Sequence, residues 1–267
     1  MAGLGYAALL IAWVASLGGF ALALAGGSTK RPELSAAAGR AVIGVTACLA
    51  LATAMLIGVF LARDYTVEYV YTSSSDDLST PLTIAAVYSG QKGSLLYWGL
   101  VLGLLGCAAV AATRQHDRAM SAWIFAVVLA VEAFFLTVMI FVTNPFERFP
   151  FTPGDGLGLN PLLVDSGMLI HPPMLLAGFA STTIPFGYAI GALATGRLDT
   201  RWLADSRRFT LVSWTLLSAG NLMGAWWAYH VLGWGGYWGC DPVENSAILP
   251  WLAMTAYLHS VMVQERR

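Results

Sequence analysis

The sequence predicts an all-α, polytopic integral membrane protein with about seven transmembrane helices and an external Trp-rich segment, in one domain over residues 1–267. Three observations carry this prediction. Charged residues make up 11% of the chain and hydrophobic residues 57%, with a mean hydropathy of +0.67, whereas a soluble domain carries about 25% charge. Uncharged stretches recur at Met1–Thr29, Ala41–Ala62, Gly93–Thr113, His171–Gly196 and Asn245–Gln264, each long enough for the roughly 20 residues that cross a bilayer core as helix. Lys and Arg are spread unevenly between those stretches. A soluble enzyme and a disordered chain are thereby excluded. The formal net charge of −1 leaves no basic face for nucleic acid.

The expected helices lie near 4–25, 41–62, 94–113, 119–143, 172–195, 209–229 and 242–263. The first lacks the basic start and small-residue cleavage site of a secretory signal and is read as a true span. The second and third are uninterrupted, and the fourth carries Glu132 as its one charge. The fifth opens behind Pro172-Pro173, which start a helix without the first amide hydrogens. The sixth runs into the Trp-rich segment. The seventh opens on Asp241-Pro242-Val243-Glu244, with Asp at the N-cap, Pro at the first helical position and Glu at the third, a capping box. With the N-terminus outside, Lys30, Arg31, Arg40, Arg114, Arg118, Arg197, Arg201, Arg207, Arg208, Arg266 and Arg267 fall inside, and only Arg63, Lys92 and Arg148 outside. This obeys the positive-inside rule. It places the segments near 63–93, 144–171 and 230–241 on the outer face.

Cys48 and Cys107 fall within spans and read as small packing residues, while Cys240 stands alone outside. Neither a CxxC nor a CxxCH pattern is present, which argues against thiol–disulfide chemistry within the chain and against a c-type cytochrome.

Four tryptophans, Trp226, Trp227, Trp234 and Trp238, share residues 226–241 with four glycines. An interfacial aromatic belt explains the indoles. A platform for a planar ligand explains the glycines as well, since backbone without side chains lets a flat ring approach. Both readings stand on composition. Asp241 and Glu244 read first as helix caps. His171, fixed ahead of two prolines at the same level, is an axial-ligand candidate for iron or a satisfied polar residue. His259 lies eighteen residues beyond Asp241, about 27 Å further along a helix, too deep to share a ligand with the outer platform. Glu132 and His259 are intramembrane ionisable groups and so functional candidates, with packing as the plain alternative. His116 reads as solvated.

Trp234-Gly-Gly-Tyr-Trp238 followed by Asp241-Pro-Val-Glu-Asn245 resembles the WWD motif of the haem-handling proteins of cytochrome c maturation. Asn144-Pro-Phe-Glu-Arg148, Asn160-Pro-Leu-Leu with Ile170-His-Pro-Pro-Met174, and Gly90-Gln-Lys-Gly-Ser-Leu95 resemble the CcmF type in particular, rather than CcmC or CcsA. The resemblance implies attachment of haem b vinyl groups to apocytochrome c cysteines on the outer side of the cell membrane. It implies Trp234, Gly235, Gly236, Tyr237, Trp238 and Asp241 as the haem platform, His171 as an external iron ligand, and His259 as a transmembrane ligand of a resident haem b that supplies electrons. Apocytochrome c, a haem-delivery chaperone, membrane lipid and a C-terminal partner subunit are the implied partners. Family members run to about twice this length or more, so either another subunit supplies the second histidine of each pair or the sites are incomplete. Tyr237, Gly239 and Cys240 stand where bulkier aromatics are usual, and His230 where a Tyr is usual. His230, Cys240 and Glu132 are therefore accessory candidates. A haem carrier without attachment activity is the alternative function, and a non-haem transporter or quinone-linked subunit a third.

Overall fold

The computed structural model describes residues 1–113, 118–197, 200–233 and 236–265. Among these it forms nine α-helices, one 3-10 turn at Pro161–Leu163 and a single bridge between Val67 and Arg148. The helices are α1 (Ala2–Thr29), α2 (Pro32–Leu61), α3 (Glu68–Ser73), α4 (Thr80–Ala86), α5 (Gln91–Thr113), α6 (Arg118–Phe141), α7 (Gly167–Thr195), α8 (Arg201–Val231) and α9 (Pro242–Glu265).

Every expected span forms a helix, with corrections at three starts. α2 begins at Pro32, well before residue 41, because Pro occupies its first position behind an extended Arg31. The exposed Arg40 is carried on its surface. α7 begins at Gly167, so Pro172 and Pro173 lie inside the helix and His171 is helical. The start comes from Asp165, whose Oδ1 accepts the Gly167 N–H at 2.7 Å. α8 begins at Arg201, because the charged residues ahead of 209 continue the helix. Among the described residues six helices are long and apolar enough to cross a membrane: α1, α2, α5, α6, α7 and α9. α8 has the length, but Ser, Thr, Asn and Gly dilute its apolar character.

In a bilayer, lipid tails are as apolar as Leu, so helices associate through close packing of small residues. α1 and α2 form an antiparallel hairpin in which Gly19 faces Ala41 and Gly26 faces the Leu34–Ser35 backbone. α6 lies against both α1 and α7, filling the core with Ile124, Leu129, Leu136 and Met139. α7 and α8 pair in one antiparallel register: Gly178 against Leu217, Leu175 against Gly220, His171 against Gly224, and Gly167 against Trp227. α9 leans on α8 and has the least buried apolar stretch of the six candidate spans.

The segments between α2 and α5 and between α6 and α7 knit into a cap over one end of the bundle. The Glu68 N–H donates to the Glu147 carbonyl and the Phe149 N–H to the Thr66 carbonyl, at 2.9 and 2.8 Å. Lys92 reaches Glu68 at 3.1 Å and Glu147 at 3.6 Å, and Arg148 reaches Asp64 at 3.3 Å. Asn144 folds an Asx turn by accepting the Phe146 N–H at 2.9 Å. That turn drives the Phe146 ring against Gly5 of α1.

Candidate functional site

The start of α7, the end of α8 and the start of α9 converge beneath this cap on a cleft of about 110 Å³, lined by His171, Asn221, Gly224, Trp227, Trp238 and Asp241 among others. The register of α7 on α8 sets its chemistry. His171 Nδ1 lies 2.9 Å from the Gly220 carbonyl oxygen. A carbonyl only accepts, so Nδ1 carries the proton and Nε2 keeps its lone pair. Nε2 makes no hydrogen bond among the described residues. Gly224 supplies a flat seat: a Cβ there would stand 2.6 Å from His171 Cε1.

Trp227 forms the adjoining wall, its ring centroid 5.7 Å from that of His171. Gly167 lets it approach, since a Cβ at 167 would press on its ring. The Trp227 Nε1–H is buried and has no acceptor among the described residues. The Trp98 Nε1–H, between Phe135 and Phe179, is in the same state, so this feature does not by itself distinguish the cleft.

The remaining wall comes from the start of α9. The capping box forms in full. Asp241 Oδ1 accepts the Glu244 N–H at 2.7 Å, while Glu244 Oε2 accepts the Gly239 N–H at 2.7 Å and the Asp241 N–H at 3.4 Å. These bonds fold residues 239–244 into a tight hook that holds the half-buried Trp238 at the cleft. Cys240 takes the left-handed conformation, φ 56°, at the bend.

Of the platform residues expected from the sequence, Trp238 and Asp241 line the cleft and Gly236 lies part-buried nearby in sequence. Tyr237 stacks on Tyr229 at 4.5 Å and is mostly exposed. Trp234 and Gly235 lie outside the described residues. His230 stacks on Trp226 at 5.6 Å and faces Asp165 Oδ2 at 3.6 Å, outside the cleft lining. The Cys240 thiol is exposed and does not line the cleft either. Glu132 is buried in α6, its Oε2 against Gly99 of α5.

His259 occupies a second cleft of about 210 Å³ between α8 and α9, with Arg207, Trp214 and Leu258. Its Nδ1–H donates to the Thr255 carbonyl at 2.8 Å, the same kind of backbone support that His171 has. Between the two clefts, Trp214 and Trp251 stack at 6.5 Å, clasped by hydrogen bonds to Thr255 at 2.8 Å and Ser218 at 2.7 Å.

Gly220, Asn221 and Gly224 were not singled out from the sequence, and Trp227 was named in the Trp-rich stretch but not among the expected platform residues. Gly220 and Gly224 form a small-xxx-small pair, the signal that would have found the seat.

The family profile described as Cytochrome C assembly protein matches residues 88–267. The cytochrome c-type biogenesis protein CcmF of Pseudomonas aeruginosa is 42% identical over 265 residues, covering 99% of this chain and 40% of that protein. CcmF of Haemophilus influenzae is 37% identical, over 95% of this chain and 41% of its own length. A solved structure titled Cytochrome c Heme Lyase CcmF superposes with a TM-score of 0.87 at 32% identity, covering 100% of this chain and 42% of that one. The chain thus spans about two fifths of the length of these relatives. On a profile match over residues 88–267 and relatives along nearly its whole length, the chain belongs to the cytochrome C assembly protein family and is of the CcmF type.

Proposed function

We propose that this chain serves cytochrome c-type biogenesis by binding haem b at the His171 cleft and taking part in its covalent attachment to apocytochrome c. One observation carries the reading. The Gly220 carbonyl holds the His171 proton on Nδ1 at 2.9 Å and leaves Nε2 as a fixed, unprotonated donor, the support that metal-ligating imidazoles use.

The residues fit the group by donor chemistry and by surroundings. The His171 imidazole, a stripped glycine seat at Gly224 and the flanking Trp227 and Trp238 line one cleft. Its roughly 110 Å³ is below the ~300 Å³ of an ordinary enclosed ligand site, so a tetrapyrrole needs its open side too. Bound haem would supply the iron and the vinyl groups to which cysteine thiols add. The chain's own residues would position it: His171 would hold the iron through Nε2, Trp227 and Trp238 would exclude water, and the Asp241–Glu244 cap keeps Trp238 in place. Positioning of this kind replaces an acid–base set. His259, with the same Nδ1 support, is the proposed ligand of a second, transmembrane haem b that supplies electrons.

The Lys and Arg distribution supports an orientation with the N-terminus and the Trp-rich segment on the outer side of the inner membrane. Apocytochrome c and a haem-delivery chaperone would then meet the cleft from that side.

Absorption spectra of the purified protein loaded with haem under reducing conditions test this. His171→Ala removes the outer-site signal and His116→Ala retains it. Equal loss from both substitutions overturns the assignment.

A further inference from the structure

We infer that Tyr88 and Tyr97 are positioning residues for the His171 imidazole, holding the helical turn that carries it from the side opposite α8. The inference rests on His171 being an iron ligand, as proposed above.

Proline lacks an N–H, so within α7 Pro172 and Pro173 leave the carbonyls of Met168 and Leu169 without their helical donors. The Leu169 carbonyl receives the Tyr88 hydroxyl at 3.4 Å. One turn on, the Pro173 carbonyl receives the Tyr97 hydroxyl at 3.2 Å. His171 sits midway between these two carbonyls. Its side chain is held by Gly220 of α8 and its main chain by two phenols from the α4–α5 corner and α5. The two phenols also meet each other, with centroids 6.1 Å apart.

The corner that presents them is stiff. The Ser94 hydroxyl donates to the carbonyls of Tyr88 and Gly90, both at 2.9 Å. The Gly90 N–H donates to the Tyr69 hydroxyl at 2.9 Å. Gly93 has no alternative, because a Cβ there would overlap the Val87 carbonyl. Gly90–Leu95, a motif with no part in the cleft itself, thus builds the abutment from which Tyr88 and Tyr97 reach the histidine turn. Two successive interior prolines remove two bonds of the helical ladder and crowd the preceding turn. That makes the turn bearing His171 one whose geometry is set by outside contacts rather than by its own ladder.

The test uses the full-length protein with haem bound, comparing wild type with Tyr88→Phe, Tyr97→Phe, the double variant and His171→Ala. The readouts are the reduced α-band position, the midpoint potential, the rate of haem transfer to apomyoglobin, and the melting temperature without haem. The double variant keeps its fold but shifts the α-band and potential and releases haem about tenfold faster, the low end of what losing a metal ligand's support costs. Each single variant moves the same way by less. Wild-type spectrum, potential and release rate in the double variant, with His171→Ala altered, overturn this inference alone. A wild-type spectrum in His171→Ala overturns the ligand assignment and this inference together. Where the double variant does not fold, the Tyr97→Phe potential decides by the same criterion.

Discussion

Gly224 lies so close beneath the imidazole of His171 that a methyl group at 224 would stand 2.6 Å from Cε1 and 3.0 Å from Nδ1. The glycine on α8 and the histidine on α7 are therefore one structural unit. Neither the hydrogen bond to Gly220 nor the bearing of Nε2 survives a side chain at 224. Gly224→Ala is expected to cost about 1–3 kcal/mol through overpacking, although alanine favours a helix by about 1 kcal/mol. It is also expected to abolish the outer haem absorbance. Gly44→Ala in α2, where nothing lies within 4 Å, is the control and leaves both the melting temperature and the spectrum unharmed. Retained absorbance in Gly224→Ala would separate the cleft from haem binding.

The Asp241–Glu244 cap gives a second test, separating a structural carboxylate from a ligand-binding one. Asp241 Oδ1 is engaged with the Glu244 N–H at 2.7 Å, a role that Asn fills about as well as Asp. Asp241→Asn is therefore expected to keep both stability and bound haem. Asp241→Ala loses about 1 kcal/mol and loosens Trp238. A spectrum altered by Asn as much as by Ala would assign the charge of Asp241, rather than its capping, to the site.

The scarcity of charge made the membrane class legible, and the Asp-Pro-Val-Glu string made the start of α9 legible to the residue. Both signals are local. His171 was legible as a candidate, but its setting was not. Pro172-Pro173 reads locally as a helix start, and only Asp165, seven residues before Pro172, moves that start to Gly167. Gly220 and Gly224 acquire meaning through the register of α8 on α7, which no single helix encodes. α3 and α4 were missed because six and seven residues are too few to show a periodicity; they are held by cap contacts such as Tyr69 with Gly90. The Asn144–Arg148 motif turned out to knit this cap, with Glu147 on Lys92 and Arg148 on Asp64.

The cap should also report pH through Asp155. The N–H groups of Asp76 and Gly156 donate to its Oδ1 at 2.9 and 2.6 Å, and these bonds hold its carboxyl below the ordinary carboxylate value. A carboxyl whose folded pKa is depressed contributes stability that is complete above its unfolded value and is lost as pH falls through the folded one. Protection of the Asp76 amide from hydrogen exchange is therefore expected to fall on acidification below the ordinary carboxylate range. Asp155→Asn keeps an acceptor but does not titrate, so it should remove that dependence. An acid limb persisting in Asp155→Asn would place the titrating group elsewhere.

Glu132 poses a different question, since it is 1% exposed and neither carboxyl oxygen has a partner among the described residues. Oε2 lies 3.2 Å from where a Cβ on Gly99 would stand, so the α5–α6 contact is shaped around it. A buried polar group left unsatisfied costs about 1–3 kcal/mol. Glu132→Leu, of similar bulk, is expected to raise the melting temperature in detergent. Gly99→Ala alone should lower it by crowding the carboxyl. In the Glu132→Ala background that crowding has no target, so the two changes should couple by at least about 0.5 kcal/mol, as residues in contact do. A lower melting temperature in Glu132→Leu, with additive effects in the cycle, would mean that the carboxyl stabilises the fold through a group other than α5. The sign of the Leu variant and the coupling thus distinguish a tolerated buried acid from one the membrane fold requires.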